Sequence, residues 1–92
     1  MAFAYVNLIV TNPESLAAYR EKASDALARH GGKVVAAAPS QTVLEGDAET
    51  GLGVILEFAT TDNAKAWIAD PDLADVHALR KGAGNSTITL LG

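Results

Sequence analysis

Two histidines, one tryptophan and no cysteine delimit the chemistry open to this 92-residue chain. His30 stands in Ala28-Arg29-His30-Gly31-Gly32, at the end of an amphipathic segment. An imidazole there can act as a general acid or base, or anchor a ligand, because its charge changes near neutral pH. It can equally serve as a helix end-piece, where the dipole favours a cation. Asn7 and Glu57 are polar residues inside otherwise apolar, strand-like runs. Facing a cleft between packed sheets, they would orient a substrate or move a proton; otherwise they form a buried polar network that fixes the register of two subunits. A carboxylate in that place needs a partner, and Arg80 or a donor from a second chain would supply one. Tyr5 and Trp67 offer aromatic surface to a ligand, although a tryptophan on the sheet-facing side of a helix is ordinarily core. His77 and Arg80, three apart on a helix, would bind an anion together or form a solvated flank, and the flank is the expected reading.

The catalytic candidates are therefore His30, Asn7 and Glu57, and the ligand-binding candidates Tyr5, Trp67 and Arg80. Metal binding is not expected: the two histidines are far apart, and no ligand spacing accompanies either. No cofactor is expected either. Gly31-Gly32 follows a helix, at the negative end that repels phosphate, and Ser40 and Ser86 lack a nucleophile-elbow context. A net charge of −4 without a Lys/Arg cluster removes the counterion-release term that drives nucleic-acid binding, and it disfavours anionic membranes. No apolar run approaches the roughly 18 residues that span a bilayer. The opening MAFAYVNLIV has no basic region before it, so a signal peptide is not expected and the chain is read as cytoplasmic.

These side chains must be positioned by a short series of elements, expected to form a single domain over residues 1–92. Residues 3–10, FAYVNLIV, are rich in β-branched and aromatic residues and predict a strand. Asn12 and Pro13 then supply an N-cap and a first helical position. On the helix that follows, Leu16, Tyr19, Ala23, Ala26, Leu27 and His30 form one stripe, and Gly31 ends it. KVVAAA (33–38) predicts a second strand, interrupted at Pro39-Ser40. QTVLEG (41–46) is expected to resume extended structure after a bulge, before a turn at 47–51. LGVILEFA (52–59) predicts a third strand, and TTDN (60–63) caps a helix that Asp70-Pro71-Asp72 interrupts and restarts. Leu73, Val76 and Leu79 give the second piece its apolar side, Gly82 ends it, and NSTITLL (85–91) is the last strand.

Two β-α-β units in so short a chain predict an α+β, ferredoxin-like βαββαβ sandwich. Its four-stranded antiparallel sheet carries two helices on one face. Strand alternation sends Val6, Leu8, Val10, Val54, Leu56, Phe58, Ile88 and Leu90 toward the helices. Tyr5, Asn7, Ile9, Ile55, Glu57, Thr87 and Thr89 then line the bare face. A chain of this size buries only about two-thirds of its unfolded surface, yet 49% of its residues are hydrophobic. The surplus points to a homodimer packed sheet face to sheet face, with a cleft between.

Several fragments add a resemblance. TNPESLAAY after the first strand, HGG at 30–32, LEG at 44–46, ILEF at 55–58, AW at 66–67, DP at 70–71 and LR at 79–80 follow the order and spacing of a small bacterial family. The chain resembles domain of unknown function 1330, over nearly its whole length. The resemblance implies a dimeric α/β barrel, two ferredoxin-like subunits with their sheets face to face. The wider superfamily includes cofactor-independent monooxygenases, haem-handling enzymes, muconolactone isomerase-like enzymes and stress-response proteins, so fold alone brings no single activity. The chain departs from the pattern at AAAP (36–39), at Ile68 where an aromatic is usual, and at DPDLADV in place of SPEY. Those departures imply a differently shaped pocket. Three functions stay open: an oxygenase- or isomerase-like enzyme acting on a small apolar molecule between the sheets, a non-catalytic ligand-binding or stress-response dimer, and a purely structural dimer.

Overall fold

The computed structural model describes residues 1–92. Four strands, β1 (Ala2–Val10), β2 (Gly32–Ala38), β3 (Leu52–Phe58) and β4 (Gly84–Leu91), form one sheet in the order β2-β3-β1-β4. Every neighbouring pair in that order is antiparallel. Three helices, α1 (Pro13–Ala28), α2 (Thr61–Ala69) and α3 (Ala74–Gly82), cover one face, and a 3-10 turn at Pro71–Leu73 joins the last two. The expected ferredoxin-like sandwich is present, its second helix broken where Pro71 disfavours helical geometry for Asp70.

Local chemistry sets these boundaries. The Asn12 side chain accepts from the Ser15 amide at 3.2 Å, and Thr60 caps α2 by accepting from Asn63 at 3.1 Å. Asp70 accepts from the Asp72 amide at 2.8 Å and so starts the 3-10 turn. Gly31 takes the left-handed conformation, φ 67°, that releases the chain from α1 into β2. At Gly32 the backbone runs so close to the core that an added Cβ would stand 2.6 Å from the Phe58 ring.

The core lies between the helices and the sheet, with Ala4, Val6, Leu27, Leu56, Phe58, Trp67, Leu73 and Val76 in one cluster. Phe58 and Trp67 meet with ring centroids 5.6 Å apart in a tilted pair. The alternation of β1 is as expected except at Val10, which is 37% exposed at the strand end. In β3 Leu56 and Phe58 are buried, but Val54 is only half-buried and Gly53, on the open face, is buried with the Gln41 side chain close by.

The chain departs from expectation between the second and third strands. The bulge falls at Val35, between Val34 and Ala36, instead of at Pro39-Ser40. An extra residue there leaves Val34 and Ala37 opposite Leu56 and Val54, so both keep facing α1. Residues 41–46 form no strand. Pro39 offers no ladder N–H, and the Gln41 side chain is drawn onto the open sheet face instead. There it hydrogen-bonds the Tyr5 hydroxyl, Asn7 Oδ1 and the Gly51 carbonyl. Residues 39–51 are thus a loop draped over part of the face expected to be bare, with Leu44 95% exposed on it.

Candidate functional site

The inward stripe of α3 and the turn before it runs through Leu73, Val76, His77 and Arg80, with Leu79 at its margin. Spacings of three, four and seven put these residues on one side of the helix. The histidine and arginine expected on a solvated flank are therefore buried, at 6% and 2% exposure. The sequence pattern allowed this, because Arg80 falls between Val76 and His77 on the helical wheel, but charge argued for solvent.

Burial decides their chemistry. His77 Nε2 lies 2.9 Å from the Trp67 carbonyl oxygen, which can only accept, so Nε2 carries the proton. Nδ1 is then free to accept from Arg80 Nη1 at 2.8 Å. Desolvation is the main cause that holds the His77 pKa below its usual value. The Trp67 carbonyl acts in the opposite direction, and the charges of Arg80 and Lys81 add to the lowering. A neutral His77, edge-on to Trp67 with centroids 4.9 Å apart, positions the guanidinium. With both ring nitrogens engaged, it has no spare position for shuttling a proton. The guanidinium carbon sits 5.7 Å from the Tyr19 ring centroid and 5.4 Å from that of Trp67.

Arg80 also lines a cavity of about 150 Å³ beneath α1. Leu16, Tyr19, Ala23 and Leu27 roof it, and Val34, Ala37, Leu52, Val54 and Leu56 form its floor with Val6 and Leu8 of β1. Eleven of its thirteen lining residues are hydrophobic. The other two are Arg20 and Arg80. Exposed Arg20, Val34 and Ala37 mark the mouth, at the β2 edge.

The other candidates are dispersed. His30 is not at a cleft between sheets: it lies in the helix layer, its Nε2 2.8 Å from Asp70 Oδ2. Arg29 approaches the same carboxylate at 3.2 Å and Asp72 at 2.7 Å, so the end of α1 is tied to the α2–α3 junction. The hydrogen bond from His30, followed by that from the Asp72 amide, holds the Asp70 carboxyl below its usual pKa. Asn7 and Glu57 do share the open sheet face. Asn7 pairs with Gly53 and Glu57 with Phe3, which sets them roughly 13 Å apart along the strands. Asn7 Oδ1 accepts from Gln41 Nε2 at 2.7 Å and the Gly51 amide at 3.0 Å, while Nδ2 donates to the Glu49 carbonyl at 3.2 Å. Glu57 pairs with Lys33, 3.2 Å away on the adjacent strand, and not with Arg80, which lies on the opposite side of the sheet. Tyr5 holds Gln41. Trp67 and Arg80 are the two candidates brought together.

Residues 1–92 match the profile of a family described as Domain of unknown function (DUF1330). The chain belongs to this family. The DUF1330 chain is similar in structure to RPA0582, a protein of unknown function from Rhodopseudomonas palustris, with a TM-score of 0.71 at 24% identity, covering 98% of this chain and 80% of that one. It is also similar to SnoaB, a cofactor-independent oxygenase from Streptomyces nogalater, with a TM-score of 0.62 at 15% identity, covering 99% and 89%. Rv0793 from Mycobacterium tuberculosis gives a TM-score of 0.55 at 10% identity, covering 100% and 94%. These likenesses show the fold that this DUF1330 chain shares with those proteins, and carry no activity with them. No curated protein matches it. No helix of the DUF1330 chain is long and apolar enough to cross a membrane.

Sequence reasoning passed over Tyr19, Gln41 and Lys33 as functional or positioning residues. Tyr19 carried a signal, a polar-tipped aromatic in the middle of an apolar helical stripe. Gln41 and Lys33 carried none, because their roles depend on which strands become neighbours.

Proposed function

We propose that this DUF1330 protein binds a small, largely apolar molecule, about the bulk of one aromatic ring, in the cavity between α1 and the sheet. The observation that supports it is the cavity itself, about 150 Å³ with eleven hydrophobic lining residues and a mouth at the β2 edge. An apolar protein cavity of roughly that volume stays dry and accepts benzene. The site lies within one subunit, whereas the sequence reading placed it between two sheets. Toluene titrated against methyl-labelled protein is expected to shift the methyl resonances of Val6, Leu8, Leu16 and Val34. Ala23→Leu, which fills the space from its roof, is expected to remove those shifts in a folded protein. Unshifted methyls at saturating toluene would end the proposal.

The subunit pairs with a second copy through its open sheet face, where Phe3, Tyr5, Ile9 and Ile55 are only half-buried. Light scattering at micromolar concentration is expected to give twice the 9.5 kDa subunit mass. A 9.5 kDa species would refute this pairing.

A second reading makes the protein an oxygenase- or isomerase-like enzyme acting on the same molecule, with SnoaB as an example of such an activity on this fold. Arg80 favours it, because a fixed positive charge beside an apolar cavity stabilises negative charge developing on a bound substrate. Oxygen uptake or isomerisation of ring-sized phenols is the assay. No turnover above background by the wild type would remove this reading and leave binding, and equal rates from the wild type and Arg80→Met would remove Arg80 from the chemistry.

A further inference from the structure

We infer that the molecule held in this cavity is a monocarboxylate, its apolar body under α1 and its anionic end at Arg80. The inference rests on the cavity being a ligand site, and it adds the ligand's chemistry.

Arg80 is 2% exposed and has no carboxylate within ion-pair distance. The chain's acidic partners are committed elsewhere, Asp70 and Asp72 to Arg29 and His30, and Glu57 to Lys33. The guanidinium is met only by a neutral imidazole nitrogen and by the rings of Tyr19 and Trp67. Its Nε has no acceptor anywhere in the chain, and neither has Trp67 Nε1 in the same part of the core. Buried donors are almost always answered, and a buried charge left to neutral groups is costly. The deficit is one of acceptors, specifically of negative charge.

The cavity wall has the matching bias. Its only charged residues are Arg20 and Arg80, in a chain whose net charge is −4. An apolar ligand alone would leave the guanidinium as it is; an anion supplies what it lacks. His77 occupies Nη1, which leaves Nε and Nη2 as the remaining donors, and the two oxygens of a carboxylate suit that pair. A phosphate fits less well. It brings further oxygens and a second charge into a wall that is otherwise hydrophobic.

The test compares benzoate, its neutral isostere benzamide, and toluene, each titrated against the wild type, Arg80→Met, Arg80→Lys and Arg20→Gln. In the wild type and in Arg20→Gln, benzoate is expected to bind at least about tenfold more tightly than benzamide. In Arg80→Met that preference disappears while toluene still binds, and Arg80→Lys restores part of it. Should Arg80→Met fail to fold, Arg80→Lys and the wild type still decide, because a lysine lacks the paired donors and weakens the preference. Benzamide binding as well as benzoate, with toluene bound, overturns the carboxylate and leaves the cavity reading standing. Loss of the preference in Arg20→Gln, with Arg80→Lys unchanged from wild type, overturns Arg80 as its source. Failure of all three probes refutes the cavity reading and the inference with it.

Discussion

Replacing Asn7 with alanine separates a catalytic Asn7 from one that fastens a loop. In the structure its amide makes three hydrogen bonds, all to residues 41–51. Each bond contributes about 0.5–1 kcal/mol net, and their partners are half-buried or exposed enough to turn toward water when released. The expected loss is therefore about 1.5–3 kcal/mol, confined to this loop. A tenfold change in an opening equilibrium corresponds to about 1.4 kcal/mol, so protection of the Gly51 amide is expected to fall by roughly 10- to 100-fold. Amides in the centre of the β1–β3 ladder should keep their protection, because no bond of that ladder uses the Asn7 side chain. Asn7→Asp keeps an acceptor for Gln41 and Gly51 and loses the donor to Glu49, so its loop should open less than that of Asn7→Ala. Native-state hydrogen exchange followed by NMR reads all of these sites at once. Unchanged protection at Gly51 would refute the fastening role, as would an equal loss across the whole ladder.

Gly32→Ala should be among the most damaging single-methyl additions, since the new Cβ would stand 2.6 Å from the fully buried Phe58 ring. About 1–3 kcal/mol of overpacking should lower the melting temperature by about 4–8 °C per kcal/mol in a chain of this size. Thermal denaturation followed by circular dichroism checks it. His77 makes stability depend on pH. Its folded pKa lies below the ordinary value of 6.5, so between the two values the unfolded chain binds more protons. Its contribution is complete above that ordinary value and declines as pH falls through the window below it. The melting temperature should drop on acidification from about pH 7.5 to 5.5, and His77→Gln should flatten that slope. Asp70 has the carboxylate sign: its lowered pKa stabilises the fold above the ordinary carboxylate value of 3.8, and that contribution is lost as pH falls below it. His30→Asn should weaken this acid-range stabilisation while leaving toluene binding unchanged, because His30 bonds Asp70 and does not line the cavity. Loss of toluene binding in a folded His30→Asn protein would contradict that placement.

Much of the fold was legible because it rests on local rules. Period-two alternation in FAYVNLIV and LGVILEFA assigned most of the buried face. The Asn12, Thr60 and Asp70 caps marked three starts, and Gly31 marked the end of α1. Residues 41–46 were misread because Gln41 and Thr42-Val43-Leu44 have the composition of a strand, while their conformation depends on Asn7 and Tyr5, which lie more than thirty positions earlier.

The site was much less legible, for a related reason. Polar residues among apolar strand residues directed attention to the open face, where Asn7 and Glu57 have structural partners in Gln41 and Lys33. His77 and Arg80, on a helix with charged neighbours, looked like surface residues.

What the sequence determined by itself is the order of elements, the stripe each buries and the family, since those follow from residue type, spacing and the ordered fragments. What only the tertiary structure decided is which charges are answered. Arg80 becomes a buried cation without a carboxylate: Trp67, Tyr19 and His77 come from three helices to surround it, and the chain's ion pairs all form elsewhere. Charge compensation is a property of neighbours in space, and no periodicity along one chain records it.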